Sequence, residues 1–267
     1  MKLNAESQYL DIADEILKNG IERDDRTETG TKSIFSPPPI DIDLKQGFPL
    51  LTTKKIDFKN ICTELFWMLN GDTNIEYLKK HKCNIWNEWA NENGDLGRVY
   101  GAQWREYGAT GIDQIERLIV GLKNHPHSRR HIVAAWNPSD LADMNLPPCH
   151  AWFQCYVSDK GLSLKMYQRS ADWFLGVPYN LASYALLTHL LAHRIGLPVH
   201  RLIITYGDAH IYNNHIKQIK LQLKREALPL PQLQVLKTTG ILKDMQHEYV
   251  KMTGYKHLPA IRAKVSV

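Results

Sequence analysis

Residues 178–194 constrain the fold more than any other stretch. Leu181, Ala182, Tyr184, Ala185, Leu186, Leu187, Leu190 and Leu191 leave this helical segment apolar on nearly every side. Such a helix must be enclosed by other elements, so it belongs at the centre of the protein. The rest of the chain supplies the enclosure. Residues 7–19 carry Tyr9, Leu10, Ala13, Ile16 and Leu17 at helical spacing and stop at Gly20. Residues 57–70 (ended by Gly71), 112–123 (ended by His125-Pro126) and 213–225 read as further helices. Residues 33–35, 39–44, 131–136 and 202–206 read as strands, and 151–158 with 162–168 as a β-hairpin. Residues 94–101 read as loop, and Pro229 and Pro231 open an extended C-terminal part. Without regular βαβ alternation, the expectation is α+β, one domain over residues 1–267.

The net charge of +5 suits an anionic ligand and is too weak to indicate nucleic acid. No apolar run is long enough to span a bilayer and the N-terminus lacks a signal-peptide pattern, so a cytoplasmic location is expected. Four cysteines (62, 83, 149 and 155) form no C-x-x-C pair and no zinc spacing. Reduced thiols are expected, and no metal site.

Pro147-Pro148-Cys149-His150 places one thiol in a stiff loop at the mouth of a buried strand. The plain alternative is a structural cysteine; a nucleophile would need nearby positive charge or a base. Arg26, Arg129, Arg130 and Arg169 all stand beside turns, and the guanidinium fork suits phosphate. Any one of them alone reads as a solvated surface group. Asn180, in the first turn of the central helix, carries an amide into an apolar place and needs a matching partner. A pyrimidine edge matches it, as would a cap hydrogen bond. His210 and Tyr212 share one face if their segment is extended, within reach of sugar hydroxyls. Glu64 stands among the apolar residues of a helix, where an exposed charge is the commoner reading.

These stretches together resemble the signature blocks of thymidylate synthase. The blocks are Pro147-Pro148-Cys149-His150, Gln168-Arg169-Ser170-Ala171-Asp172, Leu175-Gly176-Val177-Pro178-Tyr179-Asn180 and Gly207-Asp208-Ala209-His210-Ile211-Tyr212. Asp25-Arg26-Thr27, Glu64-Leu65-Phe66-Trp67, Ile85-Trp86, Val99-Tyr100-Gly101 and Ser128-Arg129-Arg130 fit the same pattern, in family order. The resemblance implies a mixed, mostly antiparallel twisted sheet packed with helices, one sheet face forming a homodimer interface. It implies reductive methylation of dUMP to dTMP, with 5,10-methylenetetrahydrofolate as carbon donor and hydride source and no metal.

Matched residue by residue, the resemblance makes Cys149 the nucleophile at C6 of dUMP. Arg26, Arg169 and Ser170 would bind the phosphate, Arg169 also lowering the thiol pKa, with Arg129 and Arg130 donated by a second subunit. Gln168, Asn180 and the backbone of Asp172 would hold the base, and His210 and Tyr212 the deoxyribose. Glu64 would move protons through water, supported by Tyr100 and His150. Lys54, Ile85, Trp86, Trp89, Asp172, Leu175, Gly176 and Tyr179 would lie by the folate, with Val267 closing over it.

Tyr179 stands where the family usually has Phe, Asn87 replaces an acidic residue, and Lys264 and Ser266 depart from the usual ending. Tail closure is the function these departures bear on most. Two alternatives remain at this level. A dUMP hydroxymethylase on the same fold would add water where the synthase adds hydride; Asn180 argues only against a cytosine substrate. A non-catalytic RNA-binding module is compatible with the charge, but the arginines are not clustered with aromatics on one strand face.

Overall fold

The structure, a computed structural model, describes residues 4–266. In chain order its elements are α1 (Ala5–Asn19), β1 (Ile21–Arg23), β2 (Thr31–Phe35), β3 (Ile40–Asp43), α2 (Phe58–Asn70), α3 (Glu76–Lys80), α4 (Tyr100–Arg105) and α5 (Gln114–Asn124). They continue with β4 (Ile132–Ala134), β5 (His150–Ser158), β6 (Gly161–Asp172), α6 (Gly176–Ile195), β7 (Val199–Tyr212), α7 (Ile216–Gln222), β8 (Gln232–Val235) and β9 (Val250–Thr253). The protein is α+β, with a mixed, mostly antiparallel sheet packed by helices.

The apolar helix is α6, and it is the crossover between two parallel strands. The main sheet runs β1-β2-β7-β6-β5-β4, with β3 also on β7. Its β6–β7 pair is parallel and its other pairs are antiparallel. Parallel neighbours cannot be joined by a tight turn, so the chain must leave the sheet and return, and α6 is that return path. It packs against β6 and β7 on one side and against α2 and α5 on others. Leu181, Ala182, Ala185, Leu186, Leu187, Leu190 and Leu191 are fully buried there. Gly196 ends the helix in the left-handed conformation (φ 74°).

Alternation divides the sheet into two faces. Phe153 and Cys155 on β5, Leu162, Leu164 and Met166 on β6, and Leu202 and Ile204 on β7 are buried toward the core. Trp152, Tyr156, Tyr167 and Ile203 stand at the alternate positions with surface exposed, and Tyr156 is 65% exposed.

The ends of the chain meet at one loop. Glu6 on α1 is fully buried and accepts from Thr52 N–H (2.9 Å) and Oγ1–H (2.6 Å) and from Thr53 N–H and Oγ1–H (both 2.7 Å). From the C-terminal side, Leu258 N–H donates to Thr52 O (2.8 Å) and Tyr255 Oη–H to Leu51 O (2.9 Å).

Several expected boundaries move. The hairpin strands are longer, so Arg169, Ser170 and Asp172 lie within β6 rather than beyond its end. Strand β7 extends through His210 and Tyr212. Helix α6 begins two residues before Pro178, which puts Asn180 past its first turn. Helix α4 occupies part of the stretch expected as loop. The last expected helix divides into a 3₁₀ turn, Asn213–His215, and the short α7. The extended C-terminal part forms a two-stranded sheet of β8 and β9.

Leu187→Ala should lower unfolding free energy by about 2–5 kcal/mol in urea titration, because it opens a cavity around a fully buried side chain. Val120→Ala, on the half-exposed face of α5, should stay within about 0.5 kcal/mol of the parent.

Candidate active site

The site is assembled on one row across three strands. Cys149 lies immediately before β5, and its carbonyl accepts from Arg169 N–H on β6 (2.8 Å). Arg169 falls opposite Gly207 on β7, between the pairs Gln168–Tyr206 and Ser170–Asp208. A Cβ on Gly207 would stand 2.6 Å from Arg169 O, so the strands approach this closely only with glycine there. The β5–β6 register slips between His150 and Trp152, and Ala151 O accepts from both Ala135 N–H (2.8 Å) and Trp136 N–H (3.1 Å). A bulge of this kind re-aims the strand end that carries Cys149.

Arg169 is fixed by the proline loop. Its Nε–H donates to Pro148 O (2.9 Å) and its Nη2–H to Pro147 O (2.8 Å), with Nη2 4.0 Å from Cys149 Sγ. The guanidinium carbon lies 5.2 Å from the Trp136 ring centre, a cation–π contact. The expected lowering of the thiol pKa does not follow from this arrangement. Desolvation by the surrounding protein raises the Cys149 pKa above the usual thiol value; Arg169 pulls it down and Asp172 pushes it up. Burial outweighs the single guanidinium.

A second set of groups stands behind the thiol. Tyr100 Oη accepts from Cys149 N–H (2.7 Å), and its ring stacks on His150 with centres 4.3 Å apart. His150 bonds Tyr184 Oη through Nδ1 (3.1 Å) and faces Asn180 Nδ2 through Nε2 (3.4 Å). Burial lowers its pKa to about 3, so the imidazole is neutral. Asn180 Oδ1 accepts from Gln168 Nε2–H (3.0 Å), which also donates to Ser170 O (3.1 Å). Glu64 is buried rather than exposed on its helix, and Trp86 Nε1–H donates to it (2.7 Å). Desolvation raises the Glu64 pKa to about 7 although the Trp86 hydrogen bond opposes the rise. Trp86 meets Tyr100 edge-on (5.7 Å), so Glu64, Trp86, Tyr100, His150 and Asn180 are contiguous.

The third set lies further along the β6–β7 pair, toward its carboxyl ends. Asp172 is level with His210, and Asp172 Oδ1 accepts from Phe174 N–H (3.0 Å) and Leu175 N–H (3.2 Å). His210 Nδ1 bonds Asp208 Oδ1 (2.9 Å), and Asp208 Oδ2 in turn pairs with Arg23 (3.3 Å). The His210 and Tyr212 rings meet edge-on at 5.1 Å, on one face as the alternation requires. Burial and then the Asp172 and Asp25 charges raise the Tyr212 pKa to about 12, against a lowering from Arg26. Arg26 is exposed in a turn held by Asp25, which accepts from Thr27 N–H (2.9 Å) and Gly30 N–H (2.7 Å). Ser170 lies partly exposed on β6 beside this group.

With that geometry in place, the comparison with known families decides the assignment: residues 7–267 match the family model for thymidylate synthase. The chain belongs to the thymidylate synthase family. Its predicted folate-side residues fall into two groups. Ile85, Trp89, Leu175 and Tyr179 are partly buried apolar surface packed on the core, and Gly176 opens α6. Lys54 instead turns inward: it is buried, donates through Nζ to Phe174 O, and lies 3.5 Å from the Phe174 ring centre. Burial lowers its pKa to about 7, against Asp172. Val267 lies outside the described residues.

Arg129 and Arg130 are not brought to Cys149 within the chain. They are exposed, just before edge strand β4, and among the described residues neither guanidinium has a partner. Three residues of the site escaped the sequence reading: Trp136 under Arg169, Tyr184 behind His150, and Asp208 behind His210. Asp208 was open to detection, since it shares the two-residue alternation of His210 and Tyr212. Among the described residues no cluster of His, Cys, Asp and Glu is placed to hold a metal ion, and no helix is long and apolar enough to cross a membrane.

Iodoacetamide should label Cys149 first, because it is partly exposed whereas Cys62, Cys83 and Cys155 are buried. Arg169→Leu should slow that labelling, since the thiol climbs further without the guanidinium; peptide mass spectrometry reads both. Glu64→Gln should gain stability relative to the parent as pH rises. The Glu64 carboxyl has its folded pKa raised to about 7 from the ordinary 4.5, so it costs nothing below 4.5 and the full penalty above 7. The gain at pH 8 is about 3 kcal/mol in denaturant titrations, and it vanishes at pH 4.

Proposed function

We propose that the protein converts dUMP and 5,10-methylenetetrahydrofolate into dTMP and dihydrofolate through a covalent bond from Cys149 Sγ to C6 of the pyrimidine. The carrying observation is the row Cys149–Arg169–Gly207, which sets a held thiol beside a fixed cation at the carboxyl ends of two parallel strands. Family membership supports dUMP methylation in general. Arg169, Arg26 and Ser170 bind the phosphate, and His210 and Tyr212 the deoxyribose. Asn180, set by Gln168, reads the O4 and N3–H edge, and the Asp172 backbone holds the other side of the base.

The Cys149 thiolate adds to C6, and the electron pair moves through C5 to O4, where donors stabilise it. The raised thiol pKa of the ligand-free site makes the nucleophile strong once its proton is lost. C5 then attacks the methylene carbon of the folate. A base takes the C5 proton, tetrahydrofolate leaves, and an exocyclic methylene remains. Hydride from tetrahydrofolate reduces it as the C6–S bond breaks, giving dTMP and dihydrofolate. Glu64, poised near pH 7, relays protons at O4 and C5 through water, with Tyr100 and His150 holding the network. The neutral His150 leaves Arg169 as the cation beside the thiol.

The active form is a homodimer through the open sheet face, in a cytoplasmic, reducing setting. Trp152, Tyr156, Tyr167 and Ile203 offer that face an apolar surface, and Phe35 (76% exposed) and Ile132 (48%) extend it. The unpartnered Arg129 and Arg130 stand beside this face and reach the phosphate of the second subunit.

Incubation with dUMP and methylenetetrahydrofolate should yield dTMP and dihydrofolate in equal amounts. 5-Hydroxymethyl-dUMP as the product would assign the hydroxymethylase instead. Cys149→Ser should lose turnover and covalent capture of 5-fluoro-dUMP, read by intact mass. Verified heterodimers of Arg129→Glu with Cys149→Ser should recover part of the activity, since each mixed dimer keeps one intact shared phosphate site; no recovery would place Arg129 outside the site.

A further inference from the structure

Residues 254–266 follow β9 with no further helix or strand, and Ile261 and Ala263 pack partly buried against the core. What fixes the register of this segment is a histidine outside the set discussed above. His215, in the turn after β7, is fully buried, and its Nε2 lies 2.7 Å from Lys264 O. A carbonyl only accepts, so Nε2 carries the proton. The other edge of the ring faces the ends of β6 and β7: Nδ1 is 3.9 Å from Asp172 Oδ1 and has no hydrogen-bond partner among the described residues. The ring also meets Tyr212 edge-on (5.7 Å) and Phe174 (5.5 Å). One imidazole therefore touches the aspartate at the end of β6, the tyrosine at the end of β7, and the backbone of the tail. One residue earlier, Asn214 Nδ2–H donates to Ser266 Oγ (3.1 Å).

We propose that His215 is a positioning residue that holds the C-terminal segment in closed register over the nucleotide end of the site, with Asn214–Ser266 as a second fastening. The two unusual tail residues then have an account. The fastening at 264 uses a carbonyl, which any residue supplies, so the lysine side chain there is free to be exposed. The fastening at 266 uses a hydroxyl, which Ser266 brings. Because His215 also contacts Asp172 and Tyr212, the tail is registered to the same strand ends that the nucleotide occupies. In the dTMP-forming reading, a tail held in this register helps retain the folate beside the nucleotide. This catalytic consequence rests on the dTMP-forming reading; the fastening itself does not.

The test compares His215→Leu, His215→Gln and Ser266→Ala in the full chain. Trypsin cleavage of the Lys264–Val265 bond in the ligand-free protein, read by intact mass, tests the fastening without any reaction, because Lys264 O must leave His215 before that bond can enter the protease. Loss of one neutral hydrogen bond predicts cleavage about fivefold faster in His215→Leu. His215→Gln, whose amide can donate toward Lys264 O, should be cleaved near the parental rate, and Ser266→Ala should fall between. In turnover, His215→Leu should raise the KM for methylenetetrahydrofolate at least fivefold more than that for dUMP. Parental cleavage rates in both His215→Leu and Ser266→Ala, or equal rises in the two KM values, would overturn the proposal. So would a Gln variant that behaves like Leu. If the parent itself makes no dTMP, the functional reading fails while the cleavage measurement still decides the fastening.

Discussion

The guanidinium of Arg169 is the interaction on which the site depends. Two consecutive prolines have no N–H to donate, and the carbonyls of Pro147 and Pro148 both turn to this one side chain. The loop that carries Cys149 is thereby fastened to β6 twice, by backbone and by side chain. Removing the guanidinium would release the loop as well as a charge, so an Arg169 variant changes position and electrostatics together. Lysine could not reproduce the arrangement, because a point ammonium lacks the fork that spans two carbonyls while stacking on Trp136.

Burial sets the resting protonation of the site. It raises Cys149, raises Glu64 to about 7 and lowers His150 to about 3, in each case favouring the neutral form. Around these neutral groups stand the charge-bearing side chains of Arg169, Asp172 and Asp208, with Arg26 exposed in the neighbouring turn. On the proposed mechanism, the thiol is a reluctant but strong nucleophile, and Glu64 gives or takes a proton at physiological pH. The cost is stability, since an ionised Glu64 is buried with the Trp86 indole as its donor.

The central helix was legible because nothing but full enclosure suits so apolar a segment, and the sheet face alternation was legible in the hairpin. The carboxyl ends of β6 and β7 were not. There the apolar alternation gives way to Arg169-Ser170 and Asp208, residues selected by a pocket rather than by a core. Helix α4 escaped for a different reason. It is six residues long and contains Gly101, whose Cβ would lie 2.9 Å from Met68 O, so its sequence reports close packing on α2 rather than helix propensity. Cys149, Asn180, His210 and Tyr212 drew attention because their chemistry stood out in apolar or rigid surroundings, and the family resemblance gave them their expected roles. Trp136 and Tyr184 read as ordinary core, and only the fold places them against Arg169 and His150. The direction of the Cys149 shift also needed the structure, since it is the balance of burial against one charge.

The loop before Lys54 is closed by residues made much later. Tyr255 bonds Leu51 across 204 residues, and Leu258 bonds Thr52 while Glu6 holds the same threonine from the other end of the chain. On the ribosome, α1 can dock onto this loop early, but the loop has no lid partner until the C-terminal segment emerges from the exit tunnel. The Lys54 side of the pocket is therefore finished last. A nascent chain stalled short of Tyr255 would carry its cysteine, arginine and central helix, yet expose an unfinished rim. Such a chain is a substrate for chaperones and proteases, which makes the arrival of Tyr255 and Leu258, rather than folding of the core, the event that closes the loop.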